Sequence, residues 1–323
     1  MDSVGVMHLP FVSGEQMRDR LAFGPLVEHL RSAHRLPPPA VDRVLMSQGD
    51  GSGDDNHYLI LPAWIHDEAM GIKITTVFPG NPSRPAGRPA VQALYVLIDG
   101  TDGTPIALLD GTEMTYWKTA ADSTLGADYL ARRDAGTLLM VGAGALAPYL
   151  IRAYLSVRPD LTAVRVWNRT AAKAQRLAAD WSGPGRVEAV SDLATAVRAA
   201  DIVCCVTAAS DPVVFGEWLQ PGTHLDLIGG FTPSMREAND EAVRRSHLFV
   251  DSRWFTIGHC GDLTQPFERG VRTEAGVEAD LFDLATGRHP GRGADDELTL
   301  FKSGGGAHLD LMAAQHIFGV LGR

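Results

Sequence analysis

The sequence lacks the features of a nucleic-acid-binding or membrane protein. It has no run of lysine or arginine, and its formal net charge is -10, whereas binding to phosphates needs concentrated positive charge. No apolar run reaches about 18 residues, and residues 1–10 contain no basic segment followed by an apolar one. We therefore expect a soluble, cytoplasmic protein with neither a nucleic-acid nor a membrane partner.

Cysteine is scarce as well, and no metal-ligand pattern is evident. Three cysteines cannot all pair, and Cys204 and Cys205 are adjacent in an apolar run, which favours strand core over a disulfide framework. His259 and Cys260 have no partners at a metal-ligand spacing. Residues 50–56 loosely resemble a calcium loop, but no acidic residue closes it at the twelfth position. We predict no metal site.

The hydrophobic pattern of the first third indicates strands followed by a helix. Short segments rich in β-branched or apolar residues, bounded by turn residues, lie at 58–62, 71–78 and 93–98. Residues 110–129 then take on helical character. One apolar face of this helix is predicted at Ala120, Ala121, Leu125 and Leu130.

From Thr137 onward, short apolar strands alternate with helix-length intervals. The strands are predicted at 138–141, 164–167, 187–190, 202–206, 224–228 and 248–250. This alternation predicts an α/β fold with a Rossmann-type doubly wound parallel sheet. A further strand at 298–302 precedes a final helix from Ala307, which we expect to return to the first domain.

A glycine turn follows the first of these strands and precedes a helix at 148–157. Gly142 permits the tight turn, Gly144 lets backbone N–H groups approach a pyrophosphate, and the small Ala147 allows close packing of helix and strand. This order of strand, turn and helix predicts a dinucleotide site. Its phosphate-binding residues are predicted to be Gly142, Ala143, Gly144, Ala145 and Leu146.

The end of the second strand predicts which dinucleotide is bound. Asn168, Arg169 and Thr170 stand where an NAD-selective site usually carries a carboxylate. The guanidinium of Arg169 suits a 2'-phosphate, so we expect NADP(H) to be favoured over NAD(H). The alternative is that Arg169 caps a solvated turn. Thr207, after the strand at 202–206, is expected to line the cofactor crevice, with a plain turn threonine as its alternative.

Nine segments, in order along almost the whole chain, resemble the ornithine cyclodeaminase and mu-crystallin family. They are Gly71–Lys73, Thr76–Pro82, Ala107–Thr112, Val141–Gly144, Val166–Thr170, Gly216–Leu219, Pro221–His224, Val250–Arg253 and Phe301–Ser303. The resemblance implies a homodimer with a site in a cleft between two domains. Residues 1–118 and 300–323 would form an α+β substrate-binding and dimerisation domain, and residues 119–299 an NADP(H)-binding Rossmann domain.

The resemblance also implies a small amino- or imino-carboxylate substrate held by basic side chains. Carried over by position, these are Arg43, Lys73 and Lys118. Family members usually have arginine at the position of Lys118, so the bidentate contact of a guanidinium with a carboxylate is lost here. Each cation has an ordinary surface charge as its alternative. Lys73 is also the candidate for protonating an imine, if burial lowers its pKa. Ser303 would approach the nicotinamide, unless it is a simple turn serine.

Phe231 is the most informative departure from the cyclodeaminases. By resemblance, the position of Phe231 in the turn Gly229-Gly230-Phe231 holds an aspartate in those enzymes. Phenylalanine can neither transfer a proton nor bind an ammonium group. Residues 225–237 instead resemble the bacterial branch that reduces cyclic ketimines such as Δ1-pyrroline-2-carboxylate to L-proline. The alternative for Phe231, which we place among the substrate-binding residues, is packing at a domain interface.

The leading hypothesis is therefore NAD(P)H-dependent reduction of a cyclic ketimine carboxylate, either Δ1-pyrroline-2-carboxylate to L-proline or its six-membered homologue to L-pipecolate. Ornithine cyclodeamination and alanine-type dehydrogenation are the enzymatic alternatives, and both are disfavoured by Phe231. A non-catalytic NADP(H)-binding protein is the alternative from another class. Turnover of a ketimine, release of ammonia from ornithine, or cofactor binding alone would distinguish these readings.

Overall fold

The structure is a computed structural model that describes residues 8–49 and 55–322. Most of the segment that resembles a calcium loop, Asp50–Asn56, lies outside these residues. The strands are β1 Phe11–Val12, β2 Ala40–Val41, β3 Val44–Gly49, β4 Asp55–Ile65, β5 Ala69–Val77, β6 Val91–Asp99, β7 Pro105–Asp110, β8 Thr137–Val141, β9 Ala163–Trp167, β10 Val187–Ala189, β11 Ile202–Cys205, β12 His224–Leu227, β13 His247–Val250, β14 Val277–Asp280 and β15 Thr299–Lys302. The α-helices are α1 Gly14–Arg20, α2 Phe23–Ala33, α3 Gly111–Leu130, α4 Ala147–Val157, α5 Ala171–Ala179, α6 Leu193–Arg198, α7 Asp240–Arg245, α8 Arg253–Thr256, α9 Gly261–Glu268, α10 Leu281–Thr286 and α11 Ala307–Leu321.

The described residues fall into two compact units. Unit 1 takes its residues from 1–22, 37–118 and 306–323, and unit 2 takes them from 23–36 and 119–305. These boundaries differ from the predicted ones at two places. Residues 300–305 fall in unit 2 because β15 is hydrogen-bonded between β12 and β13. Residues 23–36 fall there because α2 packs against α4.

Unit 1 is built on a seven-stranded sheet. Its strand order is β1-β7-β6-β5-β4-β2, with β3 also paired to β4. Among the strand pairs of the described residues in this sheet, only β1–β7 is parallel. The predicted segments at 58–62, 71–78 and 93–98 are the central parts of β4, β5 and β6. Helix α11 packs on these three strands and falls in unit 1.

One face of strand β5 is buried, and every second residue points to it. Ala69, Gly71, Lys73 and Thr75 are buried, whereas the residues between them are only partly covered. Tyr95 on β6 pairs directly with Lys73 and is fully buried. Its ring lies over Gly71, where a Cβ atom would stand 2.0 Å from the Tyr95 hydroxyl. Only glycine fits beneath this tyrosine.

Unit 2 is a parallel sheet of eight strands in the order β10-β9-β8-β11-β12-β15-β13-β14. From β8 the chain adds β9 and β10 on one side, and it then returns to add β11 and β12 on the other. This reversal creates a topological switch point between β8 and β11, where ligands of doubly wound proteins bind at the carboxyl ends of the strands. The predicted fold class is confirmed, and each predicted strand is present.

Helix α3 does not have the single apolar face that the sequence predicted. Ala120, Ala121, Leu125 and Leu130 are buried, but so is every other residue from 120 to 127. This includes the polar residues Asp122, Ser123 and Thr124. A helix that is buried on all sides carries no amphipathic pattern, and its polar side chains must find partners inside the protein.

No helix within the described part of the chain is long and apolar enough to cross a membrane.

The Tyr95 contact predicts a test of packing in unit 1. Gly71→Ala places a methyl group inside the buried tyrosine ring, so the free energy of unfolding should fall by about 1–3 kcal/mol. Gly80→Ala is the matched control, because a Cβ atom there meets nothing within 4 Å and should change stability by less than about 0.5 kcal/mol. Equal unfolding midpoints in urea for the two variants would contradict the contact.

Candidate active site

The glycine turn after β8 has the geometry that the sequence predicted. Gly142 has φ +119°, a conformation that side chains with a Cβ atom rarely adopt. A Cβ atom at this position would also stand 2.7 Å from the carbonyl oxygen of Val206. The Gly142 N–H donates to the carbonyl of Trp167 at 2.8 Å, which fastens the turn to the end of β9.

The next residues leave open space before helix α4. A Cβ atom on Gly144 would meet no heavy atom within 4 Å, and Gly144 and Ala145 are exposed. Leu146 is the N-cap of α4, and Ala147, the first helical residue, is fully buried against the sheet. An exposed turn at the N-terminus of an 11-residue helix fits the pyrophosphate of a dinucleotide.

Asn168 fixes the turn from the neighbouring strand. Its Oδ1 accepts from the Ala143 N–H at 3.1 Å, and its Nδ2 donates to the carbonyl of Thr170 at 3.0 Å. Thr170 is the N-cap of α5. Arg169 is exposed, and its guanidinium has no hydrogen-bond or ion-pair partner among the residues the structure describes. Asn168 therefore has a structural role, while Arg169 is available to a ligand.

Glu237 joins the carboxyl ends of β11 and β12. The backbone N–H and the hydroxyl of Thr207 donate to Glu237 Oε1 at 2.6 and 2.8 Å, and the Gly229 N–H donates to Oε2 at 2.7 Å. Burial, followed by the nearby Asp262 carboxylate, raises the pKa of Glu237 to about 7. The hydroxyl proton of Thr207 is committed to this carboxylate, so the Thr207 oxygen faces other groups as an acceptor.

A buried ion pair lies beside Glu237. Lys302 Nζ is 3.1 Å from Asp262 Oδ2, and both side chains are fully buried. Burial opposes the charge on Lys302, but the Asp262 carboxylate raises the pKa of the lysine. Asp262 Oδ1 also accepts from the backbone N–H of Glu237 at 2.7 Å. These contacts connect β15, α9 and the Glu237 segment.

Two buried aspartates hold the turn that follows β15. Ser303 donates its hydroxyl proton to Asp122 Oδ2 at 2.9 Å. The N–H groups of Gly304 and Gly305 donate to Asp251 Oδ2 at 3.0 and 2.6 Å. Ser303, like Thr207, therefore presents acceptor lone pairs rather than a proton to any further partner.

Two of the three predicted carboxylate-binding cations meet in unit 1. Lys73 Nζ lies 2.9 and 2.7 Å from the two carboxylate oxygens of Asp310, and Lys118 Nζ lies 3.5 Å from Asp310 Oδ1. All three side chains are buried. Burial lowers the pKa of Lys73, Asp310 raises it, and the like charge of Lys118 lowers it further; the net shift is downward. Arg43, also predicted to bind the carboxylate, is exposed between β2 and β3. Phe231 belongs to unit 2, where it is 63% exposed after β12.

Comparison with known proteins identifies the family of this chain. The sequence profile of the ornithine cyclodeaminase/mu-crystallin family matches residues 27–321. The chain belongs to this family.

Known relatives align with this protein over nearly its whole length. A Δ1-pyrroline-2-carboxylate reductase of Paracoccus denitrificans is 44% identical over 312 residues, or 96% of each chain. The structure of Thermococcus litoralis Δ1-pyrroline-2-carboxylate reductase, in complex with NADH and L-proline, matches with a TM-score of 0.88 and 28% identity over 96% of this chain and 97% of that one. An archaeal alanine dehydrogenase dimer with bound NAD matches with a TM-score of 0.87 and 25% identity, covering 97% and 96%.

No motif in the sequence predicts three acidic residues that these sites contain: Asp310, Glu237 and Asp262. One signal in the sequence points to their partners. Only four of the 29 basic residues are lysines, at positions 73, 118, 173 and 302. All except Lys173 are buried. Where arginine supplies nearly all of the surface positive charge, each lysine merits a search for a buried carboxylate.

Proposed function

We propose that this chain is a Δ1-pyrroline-2-carboxylate reductase, which reduces the C=N bond of the cyclic ketimine carboxylate with NAD(P)H to give L-proline. Its six-membered homologue would be reduced to L-pipecolate in the same way. The observation that carries the proposal is the 44% identity, over 96% of both chains, to a protein of that name.

The substrate carboxylate is assigned to Lys73 and Lys118. Their ammonium groups share the single carboxylate of Asp310, so one positive charge remains for a bound anion. In a buried cluster this attraction is weakly screened by solvent. The reaction needs little covalent chemistry from the protein, because orientation of the reactants alone contributes roughly 7–11 kcal/mol.

The cofactor is assigned to unit 2. When bound, the nicotinamide supplies the hydride that is added to the imine carbon. The turn from Gly142 to Leu146 receives the pyrophosphate at the N-terminus of α4. Thr207 and Ser303, whose protons are committed to Glu237 and Asp122, offer acceptors to the amide of the nicotinamide. These residues bind and orient the cofactor.

Lys73 is also assigned the proton that the imine nitrogen gains. Burial lowers the pKa of Lys73, which favours release of a proton from its ammonium group. Phe231 supports reduction over cyclodeamination, since an exposed phenyl ring in the turn after β12 can neither transfer a proton nor hold a released amine.

A rate assay tests the proposal. Purified protein with NADPH and Δ1-pyrroline-2-carboxylate should consume NADPH, and the same assay with the six-membered homologue shows which ring is preferred. Lys73→Ala should lower kcat/KM by about a hundredfold or more, because the substrate carboxylate loses a charged partner and the remaining Lys118–Asp310 pair carries no net positive charge. Lys173→Ala, at an exposed position on α5, should stay within about twofold as the control.

Other results of that assay would reject the assignment. Release of ammonia from L-ornithine, without reduction of either ketimine, would identify a cyclodeaminase. Cofactor binding without turnover of any of these substrates would identify a binding protein.

We further propose that NADPH is preferred to NADH, because Arg169 is exposed and no carboxylate stands beside it at the end of β9. Arg169→Leu should raise KM for NADPH by about 10- to 100-fold, since it removes charge-assisted bonds to the 2'-phosphate, and should leave KM for NADH nearly unchanged. Arg176→Leu, at an exposed position on α5, is the control. An equal effect on both dinucleotides would argue against a 2'-phosphate contact.

A homodimer is proposed from the uncovered face of the unit 1 sheet. Opposite α11, this face carries the partly exposed apolar residues Ile60, Pro62, Ile72, Ile74, Leu94 and Val96. A broad apolar face on a soluble protein commonly marks an interface, and the archaeal alanine dehydrogenase with this fold is a dimer.

Light scattering tests the dimer. The protein should have a mass of about twice 34.7 kDa, and Ile72→Glu should reduce it to the monomer value because the interface would bury an unpaired charge. Lys173→Glu should leave the dimer intact. A monomeric wild-type protein would reject the proposal.

A further inference from the structure

The cluster around Asp310 is assembled from three separate elements of unit 1. Lys73 comes from β5, Lys118 from α3, and Asp310 from the first turn of α11. Both carboxylate oxygens of Asp310 lie within 2.9 Å of Lys73 Nζ, and Oδ1 also lies 3.5 Å from Lys118 Nζ. Asp310 is fully buried, while the lysine side chains are 8% and 4% exposed. Asp310 is therefore the common partner of both ammonium groups.

The charges in this cluster explain why a carboxylate stands there. Two ammonium groups repel each other, and a buried charge without a partner is costly. Asp310 neutralises one of them and attracts both, which leaves one positive charge for the carboxylate of a substrate. Without Asp310, the less costly response is for one lysine to lose its proton, and its affinity for an anion would be lost with it.

Two other titratable side chains, one on the strand next to β5 and one on α11, do not supply this negative charge. Tyr95 on β6 pairs directly with Lys73, and its buried hydroxyl has no hydrogen-bond partner within the described residues. Burial and Asp310 raise the pKa of Tyr95 well above its ordinary value, so the phenol stays neutral. His308 is the other titratable side chain in the first turn of α11, and it is buried. The neutral phenol of Tyr95 therefore supplies no negative charge.

We propose that Asp310 is a positioning residue that keeps the ammonium groups of Lys73 and Lys118 charged and in place, so that the cluster accepts one substrate carboxylate. Asp310 acts through the two lysines and need not touch the substrate. The inference rests on the proposed function for the identity of the anion, but the effect of Asp310 on the lysines is measurable without turnover.

Asp310→Asn tests the effect on catalysis. Asparagine keeps the shape of the side chain and removes its charge, so the pKa of Lys73 should fall. The alkaline limb of kcat/KM for the ketimine should move down by about one pH unit or more, because loss of the Lys73 proton then occurs at lower pH. The loss of kcat/KM relative to wild type should be about tenfold larger at pH 9 than at pH 6. Asp310→Glu, which keeps the charge, should restore much of the alkaline limb.

A purely structural role for Asp310 would give a different result. Both variants would then lower the unfolding temperature and reduce kcat/KM by the same factor at every pH. An unchanged alkaline limb in Asp310→Asn would overturn the proposal.

Nuclear magnetic resonance of the lysine side chains provides the second measurement. The chain has four lysines, so protein labelled with ¹³C and ¹⁵N at lysine should give four Nζ signals, and Lys73→Arg identifies one of them. The titration midpoint of Lys73 should be lower in Asp310→Asn than in wild type. Should Asp310→Asn not fold, Asp310→Ser serves instead: removal of the carboxylate that raises the pKa of Lys73 should lower the Lys73 midpoint in the same way.

The two measurements separate the two hypotheses. If wild-type protein reduces no ketimine, the proposed function fails, and the Lys73 midpoints still decide the role of Asp310. If the protein is an active reductase and the midpoint does not move in either variant, the inference about Asp310 fails and the proposed function stands.

Discussion

Burial of a charged side chain is tolerated only beside an opposite charge, and this constraint shapes both units of the protein. In unit 1 the Lys73–Asp310 pair connects β5 to α11, and in unit 2 the Lys302–Asp262 pair connects β15 to α9. Removing one partner of a buried pair typically costs about 3–5 kcal/mol, because the other charge is left alone. The Lys73–Asp310 pair thus joins a strand to a helix and also fixes one of the charged groups to which we assign substrate binding.

Much of unit 2 was predictable because its signals are local. A parallel strand that is buried on both faces is a continuous apolar run, and residues 138–141 and 202–205 show this directly in the sequence. The turn at Gly142 was predictable for the same reason: a positive φ and a close approach to Val206 both require glycine. In both cases the type of residue and its position in the sequence were enough to predict the local structure.

The candidate site in unit 1 depends on contacts that no local pattern contains. Lys73 and Asp310 are 237 residues apart in sequence. Resemblance to the family indicated the cations, but not the carboxylate that balances them. Helix α3 illustrates a related difficulty, because Asp122 and Ser123 have the polarity of surface residues. Only the fold shows that Asp122 accepts from Ser303 and that Ser123 donates to Asp226. Strand pairing and burial had to be known first.

The distribution of lysine also determines how the protein reacts with chemical reagents. An amine-directed acylating reagent needs an accessible, unprotonated side chain, and Lys173 on α5 is the only lysine that is exposed in the described residues. Among lysine side chains, a fluorescent tag or a solid support would therefore attach at Lys173 alone. Such a tag would stand four positions after Arg169, on the first turn of the helix that follows it, and would leave the ammonium groups of the Asp310 cluster untouched.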